Sequence, residues 1–164
     1  MKKENIQVKY RLLNDKELDE LKEEFTQFLI IQGIHNDEWS EINKNNPEKA
    51  LQIVAVFSDT VLEKSYSKVK YLEYKSKSFF SVFEIGEKSS KVLQISTSKN
   101  SINLKNIDNI SQYIFNKEIE IQKGEKKHNK ERGMEIQQLI FQGCSFSSKE
   151  TWTLINKLIN HHID

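Results

Sequence analysis

Apolar residues recur at three- and four-residue spacing as far as Lys64, and from Lys68 the spacing changes to two over three successive segments, so the chain reads as helices followed by a small antiparallel meander and then by mixed helix and strand. The side chain of Asn14 is placed to accept a backbone N–H, and Glu17, three residues on, is placed to bond back to it, which predicts a helix start with a capping box. Leu18, Leu21, Phe25, Phe28 and Leu29 then form one stripe, with Asp19, Glu20, Glu23 and Glu24 opposite, and Gly33 supplies the stop. A short second helix is expected from Asn36 to about Asn45, with Asp37, Glu38 and Glu41 near its positive end and Trp39 and Ile42 on one face. Pro47 opens a third, capped by Asn46. That helix is apolar around most of its circumference: Leu51, Val54, Val61 and Leu62 lie to one side, Ala50, Ile53 and Phe57 to another, and only Gln52, Asp59 and Glu63 mark a polar stripe. It is expected to be the most buried element, with Val54 and Phe57 nearly inaccessible.

The segments KVKYLEY, SFFSVFEI and KVLQIST alternate and are rich in aromatic and β-branched residues, which predicts three strands. Their connections, KSKS and GEKSS, are short and favour antiparallel hairpins. After an irregular stretch from Lys99 to Lys105, Ile107, Ile110, Tyr113 and Ile114 suit a short helix, and Lys117 to Gln122 suits a fourth strand with Ile119 and Ile121 inward. Two helices finish the chain. One runs from about Lys130 to Gln142, burying Ile136, Leu139 and Ile140 before Gly143; the other follows Ser147, with Glu150 completing a capping box, and buries Trp152, Ile155 and Ile159. The fold class is therefore α+β: N-terminal helices packed on one face of a small antiparallel sheet, with two C-terminal helices, in one domain over residues 1–164.

Charge changes this picture little. The 25 basic and 24 acidic side chains leave a net charge of +1, so any electrostatic function must be local. The charged N-terminus does not read as a signal sequence, and no apolar run approaches the roughly 20 residues of a membrane span, so the expectation is a cytoplasmic protein with no membrane partner. Its single cysteine, Cys144, reads as a small buried residue.

Candidate chemistry is sparse. No glycine-rich phosphate loop follows a strand, and His35, His128, His161 and His162 show no metal-ligand spacing, so no metal, cofactor or catalytic residue is assigned. A nucleophile built from Cys144 and His128 is disfavoured, because Cys144 follows the negative end of a helix. Two features remain. In QKGEKKHNKER the cations Lys123, Lys126, Lys127, Lys130 and Arg132 gather at a helix start that Asn129 is placed to cap, which suits anion or partner binding, although composition by itself favours a solvated loop. In KSYSKVKYLEYKSKSFF the tyrosines Tyr66, Tyr71 and Tyr74 stand among lysines, a pattern shared by base-stacking surfaces and by ordinary half-buried strands.

The runs KYRLLNDKELDELKEEFTQFLIIQGIHNDEW, NPEKALQIVAVFSDTVLEKSYSKVKYLEY and EKKHNKERGMEIQQLIFQGC resemble an uncharacterised family of small bacterial proteins, a domain of unknown function. The resemblance spans nearly the whole chain and is weakest from about Lys75 to Asn116. It implies a single-domain, soluble bacterial protein and carries no activity, cofactor or site residue. The functional expectation is a non-enzymatic protein-interaction module with a cytoplasmic protein partner. The alternative is an RNA-associated or ribosome-associated binding factor, which a steep loss of binding with salt would distinguish.

Overall fold

A computed structural model describes residues 6–114 and 118–163, with the side chains of residues 107, 109, 162 and 163 outside that description. Lys117, Ile107 and His162, which figured in the sequence reading, fall there. The chain divides into two compact units, one ending at Ser65 and one beginning at Tyr66.

The first unit is helical: α1 (Asp15–Glu20), α2 (Lys22–Ile31), α3 (Asn36–Asn45) and α4 (Pro47–Ser67), whose last two residues fall in the second unit. The capping box forms as expected, with Glu17 N donating to Asn14 Oδ1 at 2.9 Å and Asn14 N to Glu17 Oε2 at 2.9 Å. The expected single helix is in fact two, because Leu21 leaves the helical region at φ −104°, ψ 23°. Gly33 ends α2 at φ 76°, a conformation open to glycine at little cost. Asn46 caps α4 by accepting Lys49 N at 3.1 Å. Phe25 lies 4.9 Å from Phe57 and 5.1 Å from Trp39, and Phe28 lies 5.3 Å from Phe57, so three helices meet through an aromatic cluster.

Two expectations for α4 need correction. Phe57 is 3 % exposed, but Val54 is only half-buried and Val56 is 56 % exposed, because the buried stripe runs through Ala55, Ser58 and Leu62. The polar stripe of Asp59 and Glu63 is also not simply wet. The Asp59 carboxylate accepts the N–H groups of Lys9 and Tyr10 at 2.7 and 2.9 Å, and Glu63 accepts the Tyr10 hydroxyl at 2.6 Å and Lys9 Nζ at 2.8 Å. Ser58, fully buried, donates to Val54 O at 2.7 Å and accepts Leu13 N at 3.0 Å. The irregular stretch before α1 thereby gains the backbone partners that a strand or helix would otherwise supply.

The second unit is built on an antiparallel sheet of β1 (Tyr71–Lys75), β2 (Phe79–Ile85), β3 (Ser89–Thr97), β4 (Ile119–Lys127) and β5 (Ser145–Phe146), with α5 (Ile107–Tyr113), α6 (Arg132–Phe141) and α7 (Lys149–Ile163). Strand order is β4-β3-β2-β1-β5, so β4 and β5 are edges. Phe80, Val82, Leu93, Ile95 and Ile119 lie on one face and pack with Ile155 and Ile159 of α7, Ile110 of α5, and Ile102 and Leu104. The last two belong to a stretch the sequence left irregular; it is held by Leu104 N donating to Lys77 O at 2.8 Å. On the other face of β2, Ser81 and Ile85 are also buried, so the sheet is covered on both sides of its centre rather than on one. Strand β5 escapes the sequence reading because two residues carry no period. Ser148, not Ser147, accepts the Thr151 N–H at 3.2 Å at the start of α7, which displaces the expected box with Glu150. Gly143 ends α6 at φ 103° as expected. Among the described residues no helix is long and apolar enough to cross a membrane.

The clamp at the start of the chain makes stability depend on pH at both extremes. Hydrogen bonds from Arg11 hold the Glu17 carboxyl down at about 2, against 4.5 in the unfolded chain. That contribution is complete above about pH 4.5 and is lost as the pH falls toward 2. Burial, then the Glu63 carboxylate, pushes the Tyr10 hydroxyl up from 10.0 to about 12, so its contribution is complete below pH 10 and is lost as the pH rises through 12. Denaturation midpoints followed across pH should show a shallower acid slope in Arg11→Met and a shallower alkaline slope in Tyr10→Phe than in the parent. Unchanged slopes in both variants would contradict the assignment.

Candidate functional site at the edge of strand β4

Strand β4 pairs with β3 over its whole length, from Thr97 opposite Ile119 to Ser89 opposite Lys127. The segment expected to be a basic loop is thus largely strand, and strand alternation decides where its cations point. Lys123, Glu125 and Lys127 fall on the face of Ile121 and the α7 core, whereas Gln122, Gly124 and Lys126 fall on the opposite face. The five predicted site residues therefore do not converge on one point.

Lys123, Lys126 and Lys127 are exposed on β4, and Lys130 is exposed in the connection to α6. Lys123 Nζ donates to Asn160 Oδ1 of α7 at 2.6 Å. Arg132 stands apart. Its Nη1 donates to Tyr66 O at 3.1 Å, its Nε to Gly86 O at 3.2 Å, and its Nη2 to Ile85 O at 3.3 Å and to Val69 O. One planar fork thus ties the end of α4, the approach to β1 and the β2–β3 turn to the start of α6, a geometry that lysine cannot reproduce.

The backbone N–H groups just before the helix that looked suited to an outside anion are taken by one of the chain's own carboxylates. Glu131, not Asn129, is the residue before α6, and no side chain caps it. Instead the buried Glu135 carboxylate accepts the N–H groups of Asn129 and Lys130 at 2.7 and 3.0 Å. Burial alone would raise its pKa, but those two N–H groups, with the charge of Lys126 and the proximity of His128, hold it below the ordinary carboxylate value. The next residue outward, His128, donates its backbone N–H to Lys88 O at 2.8 Å and places ring Nε2 2.7 Å from Ser90 Oγ. Sequence reading missed this pair, because its partners are 38 positions apart and meet only once β4 is extended to Lys127.

Chemically, the Ser90–His128 pair lacks the third member that orients a general base, since Nδ1 is buried with no hydrogen-bond partner among the described residues. Burial pushes the Cys144 thiol up, away from thiolate chemistry. Among the described residues no group of three or more His, Cys, Asp or Glu side chains is placed to hold a metal ion. Beside β4, a groove of about 410 Å³ is lined by Glu84, Lys91, Lys123, Glu125, Trp152 and Asn156.

The backbone of β4 carries the more informative geometry. Antiparallel strands turn the N–H and C=O of alternate residues to opposite edges. Because His128 N bonds inward to Lys88, the even-numbered residues of β4 face β3, and Ile121, Lys123, Glu125 and Lys127 direct theirs to the outer edge. No further strand pairs with that edge among the described residues.

Comparison with known proteins agrees with the resemblance read from the sequence. The family of unknown function DUF6495 matches residues 8–160. The chain belongs to that family. No curated protein and no solved structure matches it. The matched span takes in both the N-terminal clamp and the whole of β4.

The contrast between Arg132 and the lysines is measurable. Arg132→Met should cost about 2–4 kcal/mol in denaturant unfolding, since it strands partly buried carbonyls that bonded to a charge, and Arg132→Lys should not restore it. Lys127→Glu should stay within about 0.5 kcal/mol of the parent, as exposed positions do, whereas Lys126→Glu should cost more than Lys127→Glu because it replaces a charge that favours the buried Glu135 carboxylate with one that repels it. Cys144 should react with iodoacetamide far more slowly in the folded protein than after denaturation; equal rates would contradict its burial.

Proposed function

We propose that this protein is a non-enzymatic, cytoplasmic protein-interaction module that docks an extended acidic segment of its partner along the free edge of β4. One observation carries the reading: a nine-residue edge strand whose outward N–H and C=O groups lie among exposed Lys123, Lys126 and Lys127. Strand addition takes affinity from main-chain hydrogen bonds and specificity from alternate side chains. Edge lysines also deter self-association, and a second copy aligned with Glu125 opposite Glu125 would set Lys127 against Lys123. An acidic strand meets no such repulsion.

The surroundings favour protein over RNA as the partner. Tyr66 is 4 % exposed, Tyr71 packs with Trp152 at 6.4 Å and Tyr74 with Phe79 at 6.0 Å, so the tyrosines that would stack bases are engaged with other side chains. Lys126 and Lys127 lie on opposite faces, which breaks the continuous basic track a phosphate backbone needs.

The test is capture from native lysate by the immobilised protein, with and without nuclease, beside the Lys126→Glu/Lys127→Glu double variant. Nuclease should leave capture unchanged, and the double variant should weaken it severalfold while folding normally. Loss of capture on nuclease treatment, with a steep fall in salt, would instead favour the RNA reading.

A further inference from the structure

We infer that the β4 edge reads a charge pattern, and that its partner strand runs antiparallel with acidic residues opposite Lys127, Lys126 and Lys123, a basic residue opposite Glu125, and a large apolar or aromatic residue opposite Gly124. The inference rests on β4 being a docking edge and goes beyond it by specifying what is docked.

The pattern follows from extending the cross-strand rows of the sheet by one strand. One row runs Glu84, Lys91, Glu125 across β2, β3 and β4, alternating in sign, and a cation continues it. The neighbouring row runs Val82, Leu93, Lys123, turning from apolar to basic at the rim. There Lys123 is held by a neutral amide, Asn160, and so keeps its full charge for an incoming carboxylate. Lys127 ends the same face and Lys126 the opposite one, each exposed, and each calls for an acid. Directly opposed charges attract or repel across a ladder, so every position discriminates.

Gly124 supplies the apolar step. Its row on the other face is Phe83, Val92, Gly124. A Cβ built on Gly124 would meet only Val92 Cγ1, at 3.4 Å. The missing side chain leaves the flank of Val92 open at the rim, and a large side chain on the added strand can fold across the glycine to cover it. The antiparallel direction matches every other pairing in this sheet and is the more stable one per residue.

The probe is a synthetic peptide, Glu-Glu-Lys-Phe-Glu-Thr-Val, whose first residue is set opposite Lys127 and whose last is set opposite Ile121. Its control, Lys-Glu-Glu-Phe-Glu-Thr-Val, has the same composition but sets a lysine against Lys127 and a glutamate against Glu125. Fluorescence anisotropy at low salt should find the first bound roughly tenfold more tightly than the second. Glu125→Lys, an exposed substitution, should shrink or invert that preference. Equal binding of the two peptides would overturn the charge pattern while leaving the docking edge standing. Binding of neither would overturn the docking edge, and the pattern with it.

Discussion

The second unit depends on one guanidinium. Arg132 donates to four backbone carbonyls, those of Tyr66, Val69, Ile85 and Gly86, which belong to two separate stretches of chain. Each carbonyl sits at a place where regular structure ends: the last turn of α4, the entry to β1, and the exit of β2 into its turn. Such ends leave acceptors without partners, and a cation beside a helix C-terminus also meets favourable charge. Because the fork is rigid, it fixes the start of α6 against the β2–β3 turn.

From that fixed point the rest of the basic segment follows. With α6 anchored at Arg132, Glu135 on its first turn reaches back to the N–H groups of Asn129 and Lys130 and shapes the connection from β4. His128 then closes against Lys88 and Ser90, which sets the register of β4 at its end. Register decides everything about the lysines, since a shift of one residue would exchange Lys126 and Lys127 between faces. The chain's own carboxylate thus takes the N–H groups of the connection before α6, and the lysines of β4 are left along a strand edge rather than around a point.

Much of this was legible in the sequence and some was not, for reasons that differ by residue. The capping box of Asn14 and Glu17, the stops at Gly33 and Gly143, and the alternation of Phe80, Val82, Leu93 and Ile95 are local signals of helix ends and strand period, and they were read directly. The break at Leu21 was hidden because its side chain fits the helical stripe while its backbone does not. Asp59 and Glu63 read as an ordinary polar stripe, and Ser58 carried no signal at all, since their partners at Lys9, Tyr10 and Leu13 lie 45 or more positions away. Lys123, Lys126, Lys127, Lys130 and Arg132 were found as a group by charge density, which is blind to the strand pairing that separates the lysines and to the carbonyls that claim the arginine.

The proposed docking of an acidic strand requires the outward amides of β4 to be free of hydrogen bonds in the unbound protein. Amide hydrogen exchange resolved by residue tests it most directly. In the free protein the amides of Ile121, Lys123, Glu125 and Lys127 should exchange quickly while those of Gln122, Gly124 and Lys126, bonded to β3, exchange slowly. On adding a saturating acidic extended peptide, the fast set alone should become protected. Protection that bypasses these four amides, or that appears at the lysine side chains with no change in the β4 backbone, would contradict strand addition.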